Sequence, residues 1–109
     1  MKFKNSTHQQ KYFLLKSKLA RDDREYIVLC YLLALIDEPA ECFFDFDRVA
    51  IKEDCIMQTW QTSSTRTISR LAFNLWSWGG VNADVFATIN YCGNSNIPYV
   101  VEAIRMMVE

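Results

Sequence analysis

Catalysis by proton transfer or covalent attack needs a base within reach of a nucleophile, and few residues here could supply either. His8 is the only histidine among 109 residues. It lies near the start of the chain on a Gln-rich flank, so the expectation is a helix-start residue facing water. Ser63, Ser64 and Cys55 could attack an electrophile, but no base sits beside them in sequence. Carboxylates pair at Asp22/Asp23, Asp45/Asp47 and Glu53/Asp54. Acid/base work needs two carboxyls whose surroundings push their pKa values apart, which adjacency does not supply. Asp22 reads better as a helix cap, and Asp45 and Asp47 as solvated residues between buried phenylalanines. Structural zinc takes ligands paired at Cys-x(2–4)-Cys spacing. Cys30, Cys42, Cys55 and Cys92 lie 12, 13 and 37 residues apart. Gly79-Gly80 opens no phosphate loop, because no Gly-Lys-Ser/Thr follows it. These residues predict a protein that is not an enzyme and takes no cofactor or metal.

Binding chemistry is better represented. No acid occurs from Cys55 to Ala83, while Arg66 and Arg70 stand one helical turn apart. The stretch Thr62-Ser63-Ser64-Thr65-Arg66-Thr67-Ile68-Ser69-Arg70 is similar to the start of a helix-turn-helix recognition helix, where hydroxyls and arginines reach bases and phosphates. Two arginines and a pI near 5.8 fall short of the dense basic patch usual in DNA-binding domains. Trp60, Trp76 and Trp78 crowd one segment. At i, i+2, Trp76 and Trp78 cannot share a helix face, so at least one is expected at the surface. Exposed Trp, Tyr and Arg dominate interface energetics. Tyr99 and Met106 are expected to add contact surface.

These residues must be held by helices. Thr7 and Gln10 form a capping box that starts a first helix with Tyr12, Leu15 and Leu19 on one face. Asp22 and Glu25 repeat that geometry before a helix over Asp23–Ile36, ended by Asp37-Glu38-Pro39. That helix is apolar all round from Tyr26, which places it at the centre of a bundle. Phe43, Phe44 and Phe46, interleaved with Asp45 and Asp47, predict a short extended segment or aromatic anchors in a loop. Ile51–Met57 reads as a short helix. Thr62, Ser63 or Ser64 caps an amphipathic helix to Trp76, with Ile68, Leu71, Ala72, Leu75 and Trp76 on its apolar stripe. Gly79-Gly80 ends it, since glycine accepts the left-handed conformation. Asn82 caps a short helix to Tyr91, and Gly93–Asn96 is a turn. Pro98 fits the first position of a last helix whose buried stripe is Ile97, Val100, Val101, Ile104 and Val108. The fold expected is all-α: a compact orthogonal bundle of five or six short helices, one domain over residues 1–109.

Composition narrows the compartment and the partners. Half the chain is hydrophobic and the formal charge is -1, which excludes intrinsic disorder. The longest apolar run, Tyr26–Ile36, is too short for a bilayer span of about 20 residues. The polar stretch 5–11 after Lys2 and Lys4 is no signal-peptide core. A cytoplasmic protein with reduced thiols and no membrane contact is therefore expected. Charge is unevenly spread: net +5 over residues 1–24, -6 over 25–58 and zero thereafter. Either the basic first helix meets the acidic middle of its own chain, or two opposite faces are offered to partners.

The segments Trp60-Gln61-Thr62-Ser63-Ser64 and Leu71-Ala72-Phe73-Asn74-Leu75-Trp76 resemble small proteins of bacterial phages and mobile elements. The resemblance implies a protein that acts by occupying a host protein, among them CRISPR-type defence nucleases. The leading expectation is a non-enzymatic protein-binding module contacting its partner through Trp60, Arg66, Arg70, Trp78 and the acidic 37–54 segment. The alternative is a small helix-turn-helix DNA-binding regulator using Arg66 and Arg70.

Overall fold

The computed structural model describes residues 1–52, 54 and 63–109. Five α-helices are seen among them: α1 (Ser6–Lys16), α2 (Arg24–Leu35), α3 (Ser63–Trp76), α4 (Val85–Tyr91) and α5 (Ile97–Val108). Between α2 and α3 lies a two-stranded antiparallel hairpin, β1 (Phe44–Asp45) and β2 (Ala50–Ile51). The fold is thus mostly helical but not strictly all-α.

The centre is α2. Its N-terminus is capped by Asp23, not Asp22: the Asp23 carboxylate accepts from the Tyr26 N–H at 3.2 Å. Tyr26 and Val28–Leu35 are all buried. α1, α3 and α5 pack around it, which is what a helix apolar on every side requires. Each fully buried Leu or Val there contributes about 1.5–3 kcal/mol. The two phenols of α2 are satisfied, Tyr26 by the Leu15 carbonyl at 2.6 Å and Tyr31 by the Lys2 carbonyl.

The ends of the other elements differ from the sequence reading in instructive ways. α1 is capped by Asn5, whose side chain accepts from the His8 N–H at 2.8 Å, two residues before the expected Thr7. α4 is capped by Asp84, not Asn82; its carboxylate accepts from Phe86 at 2.9 Å and from Ala87 at 3.4 Å. In each case several residues able to cap stand close together, and packing of the following helix selects among them. Ile51 pairs with Phe44 in the hairpin where a short helix was expected; residues 53 and 55–57 of that expectation lie outside the described residues. Asp45 turns the hairpin by accepting from the Asp47 and Arg48 N–H groups at 3.0 and 3.1 Å. Phe43 and Phe44 are fully buried beneath it.

The charge asymmetry is partly resolved within the chain. Lys11 Nζ donates to the Ile36 and Glu38 carbonyls, at 2.5 and 2.7 Å. A cation there complements the C-terminal end of α2. Lys18 pairs with Glu41 at 3.1 Å and lies over the Phe46 ring. The basic first helix therefore meets the acidic middle of its own chain.

Candidate functional site

The C-terminal end of α3 has an unusual closure. Gly79 N–H reaches back to the Asn74 carbonyl at 2.9 Å, the long bond that closes a helix through a left-handed residue. That residue is Trp78, at φ 52°. Glycine was expected to take the left-handed position, and Gly79 is left-handed too, but the turn begins one residue earlier on a tryptophan. A left-handed L-residue costs roughly 1–2 kcal/mol, and a bulky residue there is a true outlier. Ser77 braces the turn: its hydroxyl donates to the Phe73 carbonyl at 2.7 Å and accepts from Val81 N–H at 3.0 Å. Asn74 Nδ2 donates to the Val81 carbonyl at 2.8 Å.

The result is that the Trp78 side chain is turned outward and 70 % exposed. Trp76 is instead half-buried, packed edge-on against Phe44 at 5.2 Å and covered by the Arg21 guanidinium at 5.0 Å. Beside Trp78 runs a shallow, mainly apolar groove of about 190 Å³ lined by Asn74, Leu75, Gly79, Met107 and Val108.

Arg66 and Arg70 are both exposed on the outer side of α3. With Thr67 they form one wall of a cleft of about 320 Å³, and Asn82, Asp84 and Ala87 form the other. The Asp84 carboxylate is therefore part of the same cleft while it caps α4. Two of the neighbouring hydroxyl residues, Thr65 and Ser69, are turned away from solvent. Thr65 is buried with its hydroxyl on the Glu38 carboxylate at 3.1 Å, Ser69 is buried on the Arg66 carbonyl at 3.0 Å, and Thr67 bonds the Ser63 carbonyl. These bonds occupy the hydroxyl protons of Thr65, Thr67 and Ser69, and two of the three side chains are buried, which leaves fewer donors than a recognition helix would present.

Of the four candidate residues, Arg66 and Arg70 share a face of α3, and Trp78 stands at that helix's end. Trp60 lies outside the described residues, as do Cys55 and Thr62. Sequence reasoning misplaced one other residue. His8 does not face water but is 2 % exposed. Its Nδ1 accepts from the Lys4 N–H at 3.1 Å and its Nε2 donates to the Tyr31 carbonyl at 3.0 Å. Burial holds its pKa below the usual 6.5. Tyr99 and Met106 are partly buried and pack against the core, so only part of each side chain is left at the surface.

The stripe on α5 is rotated from the expected one. Val100, Glu102, Ala103 and Met107 are buried, while Val101 and Val108 are exposed. The buried carboxylate explains the shift: Glu102 accepts from Arg105 Nε at 2.7 Å and from Lys2 N–H at 3.1 Å. The Arg105 bond holds its pKa down at about 2. A hydrophobicity pattern cannot count an acid as inward-facing.

Phe86, 79 % exposed, and Tyr91, 63 % exposed, were not singled out from sequence. For Phe86 the geometry is simple: with Thr88 facing inward, position 86 falls on the opposite side of a 3.6-residue helix; Tyr91, three residues after Thr88 at the helix end, is not placed by that spacing. Among the described residues no three His, Cys, Asp or Glu side chains converge on a point that could hold a metal. Cys30, Cys42 and Cys92 are free thiols. No described helix is long and apolar enough to cross a membrane.

Fold and surface together define a small, mostly helical protein that displays aromatic and arginine side chains around α3, α4 and the end of α5. The chain belongs to a family of unknown function, DUF6075, whose sequence profile matches residues 1–108. No curated protein and no solved structure matches the chain.

Proposed function

We propose that this protein is a protein-binding module whose contact surface centres on Trp78. The observation that carries the reading is that tryptophan held left-handed and 70 % exposed at the end of α3. Backbone strain persists where something else maintains it, and an observed outlier is a reason to infer function. A glycine would close the helix without strain. Trp is the residue type most enriched at energetically dominant interface positions, and the adjoining groove gives a partner side chain somewhere to insert. Arg70 and Arg66, further along α3, supply charge at the rim. The resemblance to proteins of phages and mobile elements places host proteins, a defence nuclease among them, in the class of partners to test.

The test is capture from a bacterial lysate on immobilised protein, with and without nuclease treatment. The reading expects a discrete protein that survives nuclease and is lost with Trp78→Gly. Recovery that disappears with nuclease treatment contradicts it.

DNA binding through α3 is a second reading, favoured by the exposure of Arg66 and Arg70 and opposed by Asp84 in the same cleft. Neutralising two phosphates gives a slope of about -1.8 in log affinity against log salt. Duplex binding would then weaken roughly tenfold between 50 and 200 mM salt. Absent or salt-insensitive binding in fluorescence anisotropy removes this reading.

A further inference from the structure

Residues 1–4 precede the first helix, yet they are tied into the protein by their backbone. Lys2 N–H donates to buried Glu102 on α5 at 3.1 Å, and the Lys2 carbonyl accepts from Tyr31 on α2. Lys4 N–H donates to His8 Nδ1 on α1 at 3.1 Å. Between them the Phe3 ring packs against His8 at 5.4 Å, Tyr12 at 5.5 Å and Tyr31 at 6.1 Å. Lys4 Nζ completes the attachment on Asn96 at 2.8 Å and Ser95 at 3.2 Å. The segment thus crosses three helices, held by one aromatic anchor and three backbone hydrogen bonds to side chains.

The bond to His8 depends on the protonation state of its imidazole. His8 Nε2 faces the Tyr31 carbonyl and must carry its hydrogen. Its Nδ1 faces a backbone N–H and must carry a lone pair. Only the neutral Nε2–H tautomer meets both demands. A second proton, on Nδ1, would set two N–H groups against each other at the 3.1 Å contact with Lys4.

We propose that residues Met1–Lys4 are an acid-released strap gated by His8, whose detachment uncovers an aromatic hollow walled by His8, Tyr12 and Tyr31. The charged surroundings act in the same sense. Lys4 from the strap and Lys11 from α1 both oppose a positive imidazole. Asp37, after α2, lines a cleft together with Lys4, His8 and Lys11 but is exposed. Tyr31 from α2 and Tyr99 from α5 present uncharged rings, 4.8 and 6.0 Å from His8. Glu102 is engaged by Arg105 and Lys2. Burial already holds the imidazole below its usual pKa of 6.5. Release hydrates the ring, so the strap and the proton compete for His8.

Because the chain has a single histidine, its imidazole resonances can be followed by NMR as pH is lowered, alongside hydrogen exchange at the Lys2 and Lys4 amides. The midpoint of His8 is expected below 6.5. Protection at both amides should fall together through that midpoint, by a factor of ten for each pH unit separating the strapped and released values. Amides of α2 should keep their protection. His8→Gln keeps an acceptor and a donor but cannot titrate, so its strap amides should stay protected over the same range. Phe3→Ala should free the strap at every pH and bring His8 back to about its model-peptide value. The proposal is overturned by a His8 midpoint at or above 6.5, or by strap amides that stay protected through it. It is equally overturned if His8→Gln releases with the native profile, which would assign the transition to a carboxylate.

Discussion

Replacing Trp78 with glycine and with alanine separates strain from packing at the proposed interface. The ring is 70 % exposed. A tryptophan offers up to about 250 Å², so roughly 75 Å² is withdrawn from water. At about 25 cal/mol per Å² that packing contributes about 2 kcal/mol, which either substitution removes. Glycine also relieves about 1 kcal/mol of left-handed strain that alanine retains. The glycine variant should therefore lose about 1 kcal/mol net, a Tm decrease of about 4–8 °C for a domain of this size. The alanine variant should lose about 1 kcal/mol more. This order is the reverse of the one in a helix interior, where alanine exceeds glycine by about 1 kcal/mol. Urea denaturation of both variants measures it. Partner affinity should fall by at least about 30-fold in both, since losing an anchoring tryptophan costs about 2 kcal/mol or more. Alanine more stable than glycine would refute the strain argument. Undiminished affinity in a folded glycine variant would refute the interface.

Three further outcomes follow from the charged groups and the thiols. Glu102 has its pKa lowered from 4.5 to about 2; a depressed carboxyl stabilises the fold above its unfolded value. That contribution should be present above about pH 4.5 and lost as pH falls towards 2, and Glu102→Gln should flatten urea midpoints across that window. Burial pushes the Cys30 thiol up to about 12, and Cys92 is buried too. In a Cys55→Ser background, a thiol reagent should modify exposed Cys42 alone until the protein unfolds. Lys11→Met removes the donor to the Ile36 and Glu38 carbonyls, and denaturant titration should show a loss of about 0.5–2 kcal/mol.

Helix positions were legible where one residue property repeats. α2 follows from an uninterrupted apolar run, and α3 from a stripe in which Ile68, Leu71 and Ala72 are indeed buried. Caps were less legible because Asn5, Asp23 and Asp84 each compete with another capping residue within two positions. The inward face of α5 was hidden because Glu102 looks like a surface acid until Arg105 and the strap provide partners for it. His8 was misread for the same reason: its burial depends on Phe3, Tyr31 and Tyr99, which no local spacing connects to it. Of the surface, the i, i+2 argument anticipated that Trp76 and Trp78 would part, and the structure exposes Trp78. It could not reveal the left-handed backbone that turns the ring outward.

The most direct test of the protein-binding account is a photo-reactive phenylalanine analogue introduced at position 78, with exposed position 10 on α1 as the control. Irradiation in the native host, followed by mass spectrometry, reports what lies within reach of each. The account expects a discrete protein adduct at position 78 and none at position 10. Absence of a protein adduct at 78, or the same adducts from both positions, contradicts it.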